Sequence, residues 1–126
     1  MYTILIVDDE RPAQTFLKAI CQKYCPAFDT ILLSGSADDA LRQHVHVLVT
    51  DISMPGINGI ELAQRVRQLY PRTHTVIVSG YAEFEFARGA IQAGVDDYLL
   101  KPVEIQSFRQ ILDRIRETLD AEANNL

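Results

Sequence analysis

Apolar residues fall into two alternating patterns along the chain. Short solid runs, such as Ile4-Leu5-Ile6-Val7, Val47-Leu48-Val49 and Val76-Ile77-Val78, are separated by longer stretches whose apolar positions recur three and four apart. The runs have strand length and are apolar on both faces, which predicts strands covered on each side; the stretches between them have helical period. That alternation is what a parallel sheet with crossover helices requires. Strands are predicted over Thr3–Val7, Thr30–Leu33, Val47–Thr50, Thr75–Ser79 and Asp97–Leu100.

Prolines and glycines set the helix limits. Helix one opens at Pro12, whose fixed φ suits a first helical position, and Pro26 marks its end. Its residues Ala13, Phe16, Leu17, Ile20, Cys21 and Tyr24 form one stripe predicted to be buried. Helix two is predicted from Ala37 to about His44, helix three from Ile60 to Tyr70, and helix four from Glu83 to Ala93 with Gly94 as its C-terminal cap. The loop Met54-Pro55-Gly56-Ile57-Asn58-Gly59 must turn sharply. Helix five carries Ile105, Phe108, Leu112, Ile115 and Leu119 on one face, and the polar tail from Ala121 to Leu126 is expected to fray.

Composition narrows the picture. With 126 residues and 48% hydrophobic content the chain can bury one core and is too short for two ordinary domains. A formal charge of −5 with no basic patch argues against a duplex-DNA surface. There is no run of about 18 apolar residues and no basic region followed by an apolar one at the N-terminus, so neither a membrane span nor a signal peptide is supported and the cytoplasm is expected. Cys21 and Cys25 are not in C-x-x-C spacing, and His44, His46 and His74 form no ligand pattern. The cysteines therefore read as packing residues, Cys25 partly exposed.

Chemistry concentrates at strand ends. Right-handed crossovers point all parallel strands the same way, and ligands settle outside their carboxyl ends. Asp8 and Asp9 follow strand one, Asp51 follows strand three, Ser79 ends strand four and Lys101 follows strand five. Three carboxylates and one ammonium suggest a metal-dependent phosphate site with Asp51 as the nucleophile. Taken singly, Asp8-Asp9 could cap helix one, Ser79-Gly80 could be a plain turn, and Tyr98 could be a core aromatic.

Four motifs in order carry a resemblance: Val7-Asp8-Asp9-Glu10, Asp51-Ile52-Ser53-Met54-Pro55-Gly56, Ser79-Gly80-Tyr81 and Asp97-Tyr98-Leu99-Leu100-Lys101-Pro102. From about Tyr2 to Leu119 the chain resembles the receiver domain of two-component response regulators. The stretch from Ser79 to Ala87 looks most like receivers of AraC-type, YesN-like regulators. The resemblance implies an α/β fold: a doubly wound five-stranded parallel sheet, flavodoxin-like (β/α)5, with strand order 2-1-3-4-5. It implies one receiver domain over residues 1–120, with 121–126 opening a linker to an effector domain not in this chain.

The resemblance also implies roles. Asp51 would accept a phosphoryl group from a sensor histidine kinase. Mg2+ would be held by Asp9, Asp51 and the backbone carbonyl of Ser53, with Asp8 acting mainly through a bound water. Lys101 and Ser79 would contact the phosphoryl oxygens, a cis peptide would precede Pro102, and Tyr98 would turn inward as Ser79 moves. The face built by helix four, strand five and helix five would change, offering a homodimer surface. DNA would be reached only through the effector domain. No separate substrate is turned over, so the chain reads as a signalling module rather than an enzyme.

Three departures from the family pattern stand out. The segment between Leu41 and Asp51 is short, Asn58 stands where Asp is frequent, and Gly89 lies inside helix four, where glycine costs up to about 1 kcal/mol against alanine. Other functions stay open. A stand-alone receiver acting by docking fits the same residues, as does a receiver that no longer takes phosphate. An aspartate-nucleophile phosphatase of the haloacid dehalogenase type would want an acid where Ser53 stands. An FMN carrier would want a phosphate loop where Asp8-Asp9-Glu10 would repel phosphate.

Overall fold

In the computed structural model, which describes residues 1–80 and 84–124, strands and helices alternate throughout. The order is β1 (Thr3–Val7), α1 (Arg11–Tyr24), β2 (Thr30–Ser34), α2 (Asp38–Arg42), β3 (Val47–Thr50), α3 (Gly59–Leu69), β4 (His74–Ser79), α4 (Phe84–Ala93), β5 (Asp97–Leu100) and α5 (Ile105–Asn124). All strand pairs are parallel, in the order β2-β1-β3-β4-β5. Glu83, where helix four is predicted to start, and Tyr81, Asn125 and Leu126 lie outside the described residues. No helix among the described residues is long and apolar enough to cross a membrane.

The period of two along each strand divides the core. Ile4 and Ile6, Val47 and Val49, and Val76 and Val78 pack with Leu17, Ile20 and Cys21 of α1 and with Phe108, Leu112 and Ile115 of α5. Their neighbours point the other way: Leu5, Val7 and Leu48 meet Leu62 and Val66 of α3, and Ile77 meets Ala90 of α4. Both faces are covered, which is why the strands read as solid apolar runs rather than alternating ones.

Several expectations need correction. The α2 helix is only Asp38–Arg42, because Gln43 turns extended (φ −147°, ψ 145°) to carry the chain into β3. Phe16 is 43% exposed. It is rotated roughly 100° about α1 from Leu17, off the stripe that faces the sheet. Ile105 also stays outside, 39% exposed, while Ile111 joins the α5 face instead. Cys25 is buried: its N–H closes α1 on the Cys21 carbonyl, and the chain folds back as the Phe28 N–H bonds the Cys25 carbonyl.

The expected fraying from Ala121 is replaced by helix to Asn124. Ala121, Glu122 and Ala123 are strong helix formers. The helix end is also tied to the amino edge of the sheet, through the Tyr2 hydroxyl on Asp120 and Glu122 beside His74. Gly94 does end α4 in the left-handed region, at φ 78°. Gly89 has a packing role: a Cβ there would lie 3.2 Å from Ile60 Cδ1, so its absence lets α4 approach α3.

Candidate functional site

Three candidate side chains are the first residues past their strands, and each backbone N–H still bonds the neighbouring strand. Asp8 N–H donates to the Ser34 carbonyl at 3.0 Å, Asp51 N–H to Val7 at 3.0 Å, and Lys101 N–H to Ser79 at 2.8 Å. The sheet ladder thus fixes the backbone beneath every one of them. Parity fixes direction. Asp8 follows Ile6, Asp51 follows Val49 and Lys101 follows Leu99, and all three predecessors belong to the α1/α5 side of the sheet.

The side chains meet accordingly. Carboxylate oxygens of Asp8, Asp9 and Asp51 all lie within 4.8 Å of one another, with Asp8 and Asp51 buried and Asp9 exposed. Lys101 Nζ donates to Asp8 Oδ2 at 2.9 Å and to Asp51 Oδ2 at 3.2 Å. Asp51 Oδ1 accepts from the Ile52 N–H at 2.7 Å, and Asp8 Oδ1 from the Glu10 N–H at 2.9 Å. Burial works against the Lys101 ammonium, but hydrogen bonds and charge from Asp8 and Asp51 outweigh it and raise its pKa above the ordinary lysine value. The peptide between Lys101 and Pro102 is cis.

Charge counting shows what the pocket lacks. Three carboxylates against one ammonium leave a formal charge of −2. Two like charges about 4 Å apart repel by roughly 4 kcal/mol at the effective dielectric near a protein surface. Among the described residues the donor set is oxygen only, with no imidazole or thiolate. Such a set suits a hard divalent cation of the magnesium and calcium class better than a soft metal.

Ser79 and Tyr98 lie on the other side. Ser79 follows Ile77 in register, and Tyr98, paired with Ile77 across the β4–β5 ladder, packs with Ile52, Ile77 and Ala90 of α4. Ser79 is fully buried. The structure therefore gathers Asp8, Asp9, Asp51 and Lys101 in one pocket and sets Ser79 at the same strand edge, on the Ile77 side of β4. Ser53 sits on the exposed loop after Asp51.

Residues 4–113 match the family model described as the response regulator receiver domain. The chain belongs to that family. Among its relatives, this receiver is 34% identical over 119 residues to the transcriptional regulatory protein YesN of Bacillus subtilis, covering 91% of the chain and 32% of YesN. It is 37% identical over 123 residues to the transcriptional regulatory protein HptR of Staphylococcus aureus, covering 94% of the chain and 48% of HptR. The receiver thus spans half or less of these relatives. Among solved structures, the receiver domain of AraT, a response regulator from Geobacillus stearothermophilus, superposes with a TM-score of 0.85 at 31% identity, covering 97% of this chain and 98% of that one.

Two residues around the receiver's pocket carry weight that periodicity does not reveal. A Cβ on Gly59 would fall 2.0 Å from the Asp51 carbonyl oxygen, so only glycine lets α3 start against that backbone. Its N–H holds the loop closed on the Ile52 carbonyl at 2.9 Å. The sharp turn itself is made by Gly56, at φ 87°. Gln14, polar and on the margin of the α1 stripe, reaches two strand-end carbonyls. Asn58 caps α3 by accepting from the Glu61 N–H at 2.9 Å, a role that Asp could fill as well.

Proposed function

We propose that this receiver takes a phosphoryl group onto Asp51 from a phosphohistidine of a sensor histidine kinase, in the cytoplasm. The observation that carries this reading is the pocket of Asp8, Asp9 and Asp51 with Lys101 Nζ bonded into it. In the transfer, an Asp51 carboxylate oxygen forms a bond to phosphorus. The phosphorus–nitrogen bond to the imidazole breaks, and its electron pair stays on the leaving nitrogen.

Asp8, Asp9 and Asp51 are the residues to hold Mg2+, with the Ser53 carbonyl as a further ligand. When bound, that ion would offset the repulsion between the phosphoryl oxygens and the three carboxylates. Lys101 is already within hydrogen-bond distance of Asp51, so its ammonium can follow the new phosphoryl oxygens with little movement. The Ser79 hydroxyl would donate to another of those oxygens. Because Ser79 shares its side of the sheet with Tyr98, its shift would reach the cluster of Ile52, Ile77, Ala90 and Tyr98.

An acyl phosphate carries about two negative charges where the carboxylate carried one. That is enough to redistribute two conformations of the α4-β5-α5 face separated by a few kcal/mol. The changed face would dimerise or release an output domain; the names of YesN and HptR favour a transcriptional output, and the likeness of the stretch from Ser79 to Ala87 to AraC-type receivers favours a separate DNA-binding domain of that type. The receiver assists its own phosphorylation and dephosphorylation and turns over no other substrate.

Intact-mass measurement after incubation with acetyl phosphate tests this directly. One phosphoryl adduct is expected on the parent with Mg2+, and none with chelator or on Asp51→Asn. An equal adduct on Asp51→Asn would remove Asp51 from the role.

A further inference from the structure

Every polar group of Asp8 is engaged, and one partner is a side chain from α1. The Asp8 N–H bonds the Ser34 carbonyl, Oδ1 takes the Glu10 N–H, and Oδ2 takes Lys101 Nζ. Its carbonyl lies past the end of β1 and ahead of the first helical carbonyl accepting within α1, that of Glu10. Neither the sheet nor the helix supplies it with a donor. Gln14 does: Nε2 donates to the Asp8 carbonyl at 2.6 Å and to the Ser34 carbonyl at 3.1 Å.

A side-chain amide has two N–H donors, and here both are spent on carbonyls at the ends of adjacent strands. We infer that Gln14 is a positioning residue for the acidic pocket, stapling the β1–α1 loop to the end of β2 so that Asp8 and Asp9 stay beside Asp51. This rests on the reading of that pocket as a Mg2+ site.

The physical need follows from the charges. Three carboxylates with one ammonium push one another apart, and two of them, Asp8 and Asp9, sit on the segment between β1 and α1 that Gln14 holds. A charged anchor would compete with the cation or add to the repulsion. A neutral amide holding the loop from behind by its backbone does neither. Removing groups that orient metal ligands without touching the metal typically costs roughly 10- to 100-fold in affinity. Gln14 acts one step further back, on the peptide that carries the ligands.

Calorimetric titration with Mg2+ tests the inference on the parent, on Gln14→Met, which keeps the side-chain volume without the donors, and on Gln14→Ala. The dissociation constant is expected to rise about tenfold in both variants, at the low end for outer-shell changes. The Mg2+ concentration that half-saturates acetyl phosphate labelling should rise in parallel, while the rate at saturating Mg2+ stays near that of the parent. Amide hydrogen exchange at residues 8–11 should quicken.

Variants that lose thermal stability yet bind Mg2+ within about twofold of the parent would overturn the inference, leaving Gln14 a merely structural contact. A parent that binds no Mg2+ would instead defeat the pocket reading, and this inference with it. Normal Mg2+ binding without labelling would count against phosphoryl transfer alone, because the calorimetric comparison still decides the role of Gln14.

Discussion

Asp51 and Lys101 are fifty residues apart in sequence and bonded in space, at 3.2 Å. Their identities could be read from the chain because each interrupts an apolar run at a strand end, where polarity has a visible cost. Gln14 and Gly59 gave no such signal. One is a polar residue on a helix margin, the other a second glycine in a loop that already had one for its turn, and both act through backbone atoms whose positions exist only in the fold. Gly59→Ala is expected to lower stability by about 1 to 3 kcal/mol, since its Cβ would strike backbone rather than a pliable side chain. A shift in urea midpoint without a change in slope checks this. Should Gly59→Ala match the parent, the close approach to Asp51 is not a constraint.

The five strands and five helices follow the hydrophobic pattern closely, and the misplacements occur where pattern gives way to tertiary ties. Helix α5 outruns its apolar face because its end is held at the opposite pole from the acidic pocket. There His74 Nδ1 meets Asp96 Oδ1 at 3.0 Å, while Nε2 lies 3.4 Å from Glu122 Oε1 without a hydrogen bond. The Asp96 hydrogen bond outweighs burial, which acts in the other direction, and with the Asp96 and Glu122 charges it raises the His74 pKa above the ordinary 6.5. A raised folded value means stability that is present in full below about pH 6.5 and lost as pH climbs through the folded pKa. The stability difference between the parent and His74→Gln should therefore be larger at pH 6 than at pH 8 (about 1.5 units above the ordinary value), as chemical denaturation at each pH would show. An equal difference at both would exclude a charged latch. Phe108, fully buried where α5 meets the sheet, should cost about 3 to 5 kcal/mol on replacement by alanine, read from the same denaturation curves.

Across the whole molecule, strand parity organises the chemistry. Asp8, Asp51 and Lys101 extend the α1/α5 side of the sheet, whereas Ser79 and Tyr98 belong to the side that meets α4. The acidic pocket and the Ile77–Tyr98 cluster thus lie on opposite layers of one sheet. The order of strands and the edge that carries the site were legible in the sequence; the division of residues between the two faces needed the register of β4 and β5. A cation that binds only the folded pocket stabilises the fold, by about 2.7 kcal/mol at a hundred times its dissociation constant. Mg2+ should raise the melting temperature of the parent and do so much less in Asp9→Asn, while an equal rise in both would place the ion elsewhere.

The central claim, that the gathered carboxylates let Asp51 capture phosphorus, is tested most directly by trapping. Acetyl phosphate labelling with Mg2+, followed by borohydride reduction and peptide mapping, converts an aspartyl phosphate into homoserine at the modified position. Homoserine at residue 51, lost with chelator, is expected. Its appearance at Asp8 or Asp9, or at no position, would contradict the claim.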